Sequence, residues 1–313
     1  MCVPRLETSL TTFLTPVRKR FRDAFAALHR LPALGSLTLS FNPITHSFYY
    51  ESVPQSQYFL LQWDVLGALA RNPNPLPKLR SLTIDKWLAL PDTFFTGAPF
   101  ARIIASLRHL RFLVCIDKHE DAEWEEPFLM FWRQVEEHML SPAVNLESLT
   151  IDSDLRLGFC LNLNFNRLAY PCLTALSLRN IVWEGGSAIQ GVILPGVENF
   201  VARHGKTLKE LELRNCAIDV PEGKDVPYRF WAAVWKRLAD ELTELVDLKV
   251  VFEVNPLRED QELQYAYRNE GFGYIYFEER VAAGKDGPAL EAFRAIVEVR
   301  KSNWEVNGTS DTQ

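Results

Sequence analysis

The sequence predicts an α/β fold in which a short strand motif recurs, amphipathic helices separate the copies, and no catalytic motif is present. Residues 208–218 read LKELELRNCAI, with apolar positions spaced L-x-x-L-x-L-x-x-[N/C]-x-L. Leu211 and Leu213 alternate with charged residues, as in a strand that buries one face. Cys216 stands where the chain must turn and tie down backbone groups. This spacing is that of a leucine-rich repeat.

The motif recurs along the chain in seven registers. The first copy, LPALGSLTLSFNPI at residues 31–44, matches the pattern at every position. One L-x-x-L-x-L match is weak because helices contain it too, but seven matches make chance a poor explanation. The other six registers are placed at Leu79, Leu82 and Ile84; Leu110, Leu113 and Cys115; Leu146, Leu149 and Ile151; Leu173, Leu176 and Leu178; Leu208, Leu211 and Leu213; and Leu245, Leu248 and Val250.

Helices are predicted before several of these strands. Pro99, Pro127 and Pro227 each precede apolar residues at helical spacing, and proline suits the start of a helix. Aromatic residues in these rows are interpreted as core against a parallel sheet. The rows are Tyr58, Leu61, Val65 and Leu69; Phe100, Ile103, Ile104 and Leu107; Phe128, Phe131, Trp132, Val135 and Met139; and Trp231, Val234, Trp235, Leu238 and Leu242.

These units predict an irregular leucine-rich-repeat solenoid, a horseshoe with a parallel sheet on its concave side and helices on its convex side. The intervals between copies are uneven, so the connections must differ. An N-terminal capping helix is expected in residues 1–30, beginning at Pro16, and the repeats fill 31–255. Because an open solenoid exposes its last core face, a cap is expected at 256–301, with a helix from Pro288. Residues 302–313 are expected to be disordered.

Composition excludes some classes of partner. A net charge of -6 and a pI near 5.6 argue against nucleic acid or an anionic membrane as partner. The five cysteines are far apart and contain no C-x-x-C pair, which favours free thiols in a reducing compartment. The sequence shows neither a signal peptide nor an apolar run of about 20 residues. We therefore expect an intracellular protein, cytoplasmic or nuclear.

Motifs for chemistry are not found. The sequence has no P-loop, no G-x-S-x-G elbow and no H-E-x-x-H zinc helix. His204, before Gly205, is explained by a structural role at the end of a helix. No catalytic residue, metal site or cofactor is predicted, and an enzyme is a remote alternative. The densest group of potential ligands is read as an exposed acidic insertion that could hold a hard cation only loosely; it comprises Asp117, His119, Glu120, Asp121, Glu123, Glu125 and Glu126.

The concave face is the predicted site, and its expected activity is to bind a protein partner without catalysis. Residues that flank the buried pair of each strand point to the other side. In the third register they are Phe112, Val114 and Ile116, an apolar centre rimmed by polar groups. The alternatives are that this register is off by one and the three are core, or that a loop or tail covers them. Predicted partner contacts are Thr83, Asp85, Phe112, Val114, Ile116, Thr150, Asp152, Arg179, Glu210, Glu212 and Arg214.

The motifs LPALGSLTL, LPKLRSLTI, NLESLTI and RHGKTLKELELRNC, with the FW and WxxVW helices between them, resemble the leucine-rich-repeat region of fungal F-box-type proteins over residues 30–255. The resemblance implies repeats that recruit a target while a separate F-box engages the adaptor of a cullin ubiquitin ligase. Residues 1–30 lack the L-P-x-E start of an F-box. The alternative function that it implies is a substrate receptor acting with an F-box outside this chain, and a ubiquitin-ligase adaptor as second partner.

Overall fold

A computed structural model describes residues 7–41, 57–70, 76–115, 126–154, 163–183, 196–220, 227, 229–252, 254–255, 258–262, 264–269, 274–276 and 284–308. Within them the chain has an α/β fold with a seven-strand parallel sheet. The sheet is open, because no pairing in the described residues joins the two strands at its ends.

The main sheet pairs its strands in chain order. Leu37 lies opposite Leu82, Leu82 opposite Leu110, and Leu110 opposite Leu149, and the row continues through Leu176, Leu211 and Leu248. One row of leucines therefore crosses all seven strands, buried in the five inner strands and half-buried at Leu37 and Leu248. The strands are β1 (Ser36–Ser40), β2 (Ser81–Leu88), β3 (His109–Cys115), β4 (Ser148–Ser153), β5 (Ala175–Arg179), β7 (Glu210–Arg214) and β9 (Asp247–Val251); β6 (Val182–Trp183) and β8 (Ala217–Val220) lie between them in the chain and join a second sheet.

Seven α-helices occur in the described residues. The predicted apolar rows coincide with α2, α3, α4 and α6, and the described side chains in them are buried or half-buried. The helices are α1 (Glu7–Ala26), α2 (Gln57–Ala70), α3 (Ala98–Ala105), α4 (Glu126–Val135, continued by a π-helical turn at Glu136–Leu140), α5 (Gly196–Arg203), α6 (Trp231–Glu241) and α7 (Asp286–Gly308).

The predicted bounds of the first and last helices are wrong. Helix α1 begins nine residues before Pro16, which therefore lies inside it. Proline removes one helical hydrogen bond, but Arg18 ties this helix to α2 through the buried Asp64 at 2.5 Å. Helix α7 runs to Gly308, so residues 302–308 are helical and not disordered; residues 309–313 lie outside the described part.

Strand β3 is where the register predicted from the sequence is wrong. The prediction placed the motif at Leu110, Leu113 and Cys115, whereas the structure places it at Leu107, Leu110 and Phe112. Phe112 occupies the motif position that is aliphatic in the other copies, such as Ile84 and Ile151. Because Leu113 is the next residue, the sequence alone favours the wrong alignment. The shift is three residues, and any odd shift exchanges the two faces of a strand.

The core between sheet and helices is densest in aromatic rings behind β2 and β3. Trp87 meets Phe131 edge-on with 4.8 Å between ring centroids, and Phe112 lies 6.2 Å from Trp87 and from Trp132. Such pairs stabilise by about 0.5–1.5 kcal/mol each beyond the burial of their area. The predicted core role is confirmed for the helical aromatics Phe100, Phe131, Trp132, Trp231 and Trp235, which are buried, whereas the side chains of Tyr58 and Phe128 lie outside the described part.

A second sheet was not predicted. Strands β6 and β8 run parallel to each other and to β12 (Tyr265–Asn269), which pairs with the antiparallel β13 (Tyr274–Tyr276). A separate hairpin pairs β10 (Val254–Asn255) with β11 (Arg258–Glu262). The alternating aromatics of GFGYIYF at residues 271–277 predict a strand, which is confirmed at Tyr274–Tyr276; the other residues of this run lie outside the described part.

Three copies of the motif share one backbone geometry just after their core residues. Lys86, Asn180 and Asn215 have φ of 54°, 55° and 51°, and each stands two residues after the last core residue of its motif. Asparagine tolerates this left-handed region better than most residues. Cys216, the predicted turn residue, directs its thiol at the carbonyl oxygen of Leu178 at 3.5 Å. The same backbone geometry therefore follows β5 and β7 directly, and in β2 it occurs at Lys86, inside the strand, where the pairing with β3 shifts its register.

Candidate functional site

The candidate site is the face of the main sheet that points away from the helices, which we call the open face. Its residues alternate with core residues along each strand, and they are exposed or half-buried except for Asp152. The face comprises Ser36, Thr38 and Ser40; Ser81, Thr83 and Asp85; His109, Arg111, Leu113 and Cys115; Ser148, Thr150 and Asp152; Ala175, Ser177 and Arg179; Glu210, Glu212 and Arg214; and Asp247, Lys249 and Val251.

Glu212 contacts charged and polar side chains from the last three strands of the main sheet. Its Oε1 accepts a hydrogen bond from Nε of Arg214 at 2.6 Å and lies 2.9 Å from Nζ of Lys249. Its Oε2 accepts a hydrogen bond from the hydroxyl of Ser177 at 3.0 Å. The carboxylate is thus held by two cations and a hydroxyl from β5, β7 and β9.

These contacts set the protonation of Glu212. Partial burial alone would raise its pKa, but the hydrogen bonds from Lys249, Arg214 and Ser177 outweigh it and lower the pKa to about 2. The group is therefore ionised at every pH at which a folded protein is ordinarily handled. Because these charges satisfy one another, this part of the face offers a partner less free charge than the sequence predicts.

Asp152 forms a second charge pair in the middle of the face. Its Oδ2 accepts a hydrogen bond from Arg179 on β5 at 3.4 Å, and the side chain is only 12% exposed. Burial raises its pKa, and the nearby guanidinium of Arg179 opposes that rise. Its other oxygen, Oδ1, is buried and has no hydrogen-bond partner in the described residues. Arg179 is the exposed member of this ion pair.

The first strands of the face are dominated by hydroxyl groups. On β1, the hydroxyl of Ser40 donates to Oδ2 of Asp85 on β2 at 2.9 Å. The next strand, β3, differs because it places Arg111, an exposed cation, in register between Thr83 and Thr150. The same strand carries the half-buried Leu113 beside the guanidinium.

Cys115 lies at the end of β3 on this face and is half-buried. Burial and the negative charges of Asp154 and Asp85 raise the pKa of its thiol to about 12. A thiol in that state is a poor nucleophile, because the thiolate is the reactive form. The cysteine therefore contributes a small, inert surface to the face.

The predicted apolar centre of the face is not there. Phe112 and Val114, two of its three residues, are 0% exposed and belong to the core, because the β3 register places them on the helix side. Ile116 lies outside the described residues. The other predicted contacts do lie on the open face: Thr83, Asp85, Thr150, Asp152, Arg179, Glu210, Glu212 and Arg214.

The sequence reading missed the residues that occupy the centre of the face, namely His109, Arg111 and Leu113. The alignment of Leu107, Leu110 and Phe112 with the neighbouring copies was the signal that could have found them. With that register, the residues between the core positions of β3 are basic and aliphatic, whereas those of β2 and β4 are hydroxyl-bearing.

Other candidate groups have structural partners or lie outside the described residues. Among the residues that the structure places, no group of three or more His, Cys, Asp or Glu side chains could hold a metal ion. The acidic insertion lies outside them except for Glu126, its last member, which begins α4. Glu136 is buried and accepts a hydrogen bond from the backbone N–H of Asn164 at 2.9 Å, which is a structural contact. His204 packs in the core, as its predicted structural role requires.

Among the described helices, none combines the length and apolar character needed to cross a membrane. Comparison of the chain with models of known protein families gives no match, and comparison with curated proteins gives none either.

Proposed function

We propose that the chain is an irregular leucine-rich-repeat solenoid and that its open face, the concave side of a horseshoe, binds a protein partner without catalysing a reaction. The observation that carries this proposal is the shared register of the seven strands. Seven copies of one motif pair in parallel and in chain order, with a single row of leucines running from Leu37 to Leu248. Stacked repeats bury a continuous core in this way and leave one broad surface for recognition.

Helix α7 supports the repeat interpretation at the C-terminal end, where a solenoid needs a cap. Leu290, Phe293 and Val297 of this helix are buried in the main core. Arg300 donates hydrogen bonds to the carbonyl oxygens of Leu242 and Ala239 at 2.7 and 2.8 Å. These contacts bind α7 to the end of α6 beside the last strand, and they fit the cap expected at 256–301.

The buried ionisable groups support binding over catalysis. Glu198 on α5 is fully buried and pairs with Arg229 at 2.6 Å and Arg237 at 3.1 Å. Asp286 accepts a hydrogen bond from the backbone N–H of Ala232 at 2.7 Å, at the start of α6. Each joins one element to another, a structural role. A structural role therefore accounts for these groups, and the proposal places recognition on the open face.

A steric block of the open face tests this function. Thr83→Tyr combined with Thr150→Tyr places two bulky, uncharged side chains over the centre of the face, and tyrosine suits a strand. The matched control, Met130→Tyr combined with Val144→Tyr, adds the same side chains at exposed positions elsewhere. The tagged proteins are recovered from cells, and their bound proteins are quantified by mass spectrometry.

We expect at least one protein that the wild type and the control retain and that the blocked variant loses, while all three unfold at similar temperatures. Identical sets of bound proteins for the wild type and the blocked variant would contradict the proposal. A purified cullin-ligase adaptor passed over the same columns tests the receptor role that the resemblance implies.

A further inference from the structure

Arg111 is the one Lys or Arg on the described open face without a salt bridge, although its charge, like that of Arg179, opposes the rise in the pKa of Asp152. Arg179 pairs with Asp152, and both Arg214 and Lys249 pair with a shared glutamate. The guanidinium of Arg111 is exposed, and within the described residues it makes neither a salt bridge nor a hydrogen bond. Its five N–H donors are therefore available at the centre of the face.

Hydroxyl groups lie beside Arg111 on both neighbouring strands. Thr83 on β2 and Thr150 on β4 lie directly opposite it, and Ser81 and Ser148 lie in the adjacent row on either side of the exposed His109. Neighbouring strands are about 4.8 Å apart, so the two threonines flank Arg111 on the same face of the sheet. These four hydroxyls make no side-chain hydrogen bond in the part of the chain that the structure describes. Each can turn its O–H toward an acceptor.

We propose that Arg111, flanked by Thr83 and Thr150, binds the carboxylate of an Asp or Glu side chain of the partner protein. Two N–H groups of a guanidinium match the two oxygens of a carboxylate. The hydroxyls then donate to lone pairs that the guanidinium leaves open. This site rests on the proposed function, and it names the chemistry by which the partner is recognised.

Nearby charges limit the site to a single carboxylate. Asp152 lies opposite Leu113 in the next row of the face, and Asp85 lies on β2 where its pairing with β3 becomes irregular; of the two, only Asp152 forms a salt bridge in the described residues. A polyanion laid across the face would meet these carboxylates as well as Arg111. The half-buried Leu113 beside the guanidinium offers an aliphatic contact. The matching ligand is thus an acidic side chain with an apolar neighbour in a protein segment.

A display library of random, unphosphorylated 12-residue peptides tests the site. The full chain is immobilised, and peptides are selected on the wild type and counter-selected on the Thr83→Tyr/Thr150→Tyr variant. Those lost on the blocked variant are peptides of the open face. We expect them to be enriched in Asp or Glu next to an apolar residue.

The dissociation constant of a selected peptide is then measured for variants of one side chain. Arg111→Gln should weaken binding about tenfold or more, since it removes a charge-assisted pair. Arg111→Lys keeps the charge without the planar fork and should recover only part of the affinity. Arg102→Gln, an exposed arginine on α3, is the control and should leave binding unchanged.

Replacing the acidic residue of the peptide by Gln completes a double-mutant cycle. It should cost the wild type about as much as Arg111→Gln does and cost the Arg111→Gln variant little. Open-face peptides without acidic enrichment, or ones that bind Arg111→Gln as well as the wild type, would overturn the carboxylate site and leave the protein-binding function standing. If the blocked variant loses no peptide, the site and the proposed function fail together.

Discussion

The backbone N–H of Tyr170 donates a hydrogen bond to Nε2 of His204, with 3.2 Å between the nitrogens. The other ring nitrogen, Nδ1, lies 2.7 Å from the carbonyl oxygen of Phe200. Since Nε2 accepts, Nδ1 must carry the proton, and the ring is neutral. Burial lowers the pKa of His204, and the hydrogen bond to Phe200 opposes this only in part. The imidazole therefore links the loop before β5 to helix α5 in its uncharged form.

The free energy of unfolding should fall as the pH is lowered through the range in which His204 takes up a proton. The pKa of His204 is lower in the folded state than in the unfolded state. Its contribution to stability is therefore complete above the unfolded pKa of about 6.5 and is lost as the pH falls below that value. The slope from one such group is at most about 1.4 kcal/mol per pH unit. We expect His204→Gln to be less stable at pH 7 and to depend less on pH between 7 and 5, measured by urea unfolding. Equal slopes for His204→Gln and the wild type would contradict this account.

Glu212 predicts a loss of stability at much lower pH. Its pKa is lowered to about 2 in the folded state, so its contribution is present above the unfolded value of about 4.3 and is lost toward pH 2. We expect Glu212→Gln to cost about 1 kcal/mol at pH 7, discounted because the carboxylate is 30% exposed. The difference from the wild type should shrink as the pH approaches 2.

Glu210→Gln is the matched control for this prediction. It lies two residues earlier on the same strand, is exposed, and makes no ion pair in the described residues. Chemical unfolding at pH 7 and near pH 3 separates the two variants. Equal stability of Glu212→Gln and Glu210→Gln at pH 7 would show that the contacts of Glu212 contribute nothing.

The strands and helices were predictable where a single period dominates. Alternation within each motif gave the strands, and the apolar rows gave α2, α3, α4 and α6, because these signals are local. At β3 two leucines compete for one place, and only the pairing with β2 and β4 decides between them. The bounds of α1 were missed because Pro16 reads as a helix start, although it lies mid-helix.

The second sheet and the charge pairs of the open face could not be read locally. Strands β6 and β8 are too short to show a period in the sequence. They follow the equivalent turns at Asn180 and Asn215 and pair in parallel with each other. The contact between Glu212 and Lys249 follows from strand register, since the two residues are directly opposite. The unpaired Arg111 could be recognised only after β3 was aligned correctly. Non-local pairing therefore determines the site.

The register of β3 predicts that serine substitutions at two adjacent positions differ in their effect on the free energy of unfolding. Phe112 is fully buried against Trp87 and Trp132, whereas its neighbour Leu113 is half-buried on the open face. Phe112→Ser should cost about 4 kcal/mol or more, from lost transfer energy, a cavity and a buried hydroxyl. Leu113→Ser should cost about 1 kcal/mol or less.

Thermal and urea unfolding of the two serine variants measure this contrast. If Phe112→Ser were as stable as the wild type, Phe112 would have to be exposed and the register predicted from the sequence would be restored. A large loss for Leu113→Ser with a small one for Phe112→Ser would reverse the two faces of β3.

The cysteines should react with iodoacetamide in a defined order. Cys172 is exposed, Cys115 is half-buried, and Cys216 is buried. With a pKa of about 12, Cys115 has roughly 2,000-fold less thiolate at pH 8 than a thiol of ordinary pKa near 8.5. A more basic thiolate is more nucleophilic, which recovers roughly 40-fold of this loss. We therefore expect Cys115 to react about 50-fold more slowly than an ordinary exposed thiol, apart from any steric hindrance.

Mass spectrometry of the digested protein gives the rate at each cysteine and separates these from Cys2 and Cys160, which lie in parts of the chain that the structure does not describe. Asp85→Asn combined with Asp154→Asn removes two negative charges that raise the pKa of Cys115. Its rate should then increase, whereas the rate at Cys172 should not. In urea the three rates should converge, because burial is lost. If Cys115 reacted as fast as Cys172 in the folded protein, neither burial nor the two aspartates could be holding its thiol protonated.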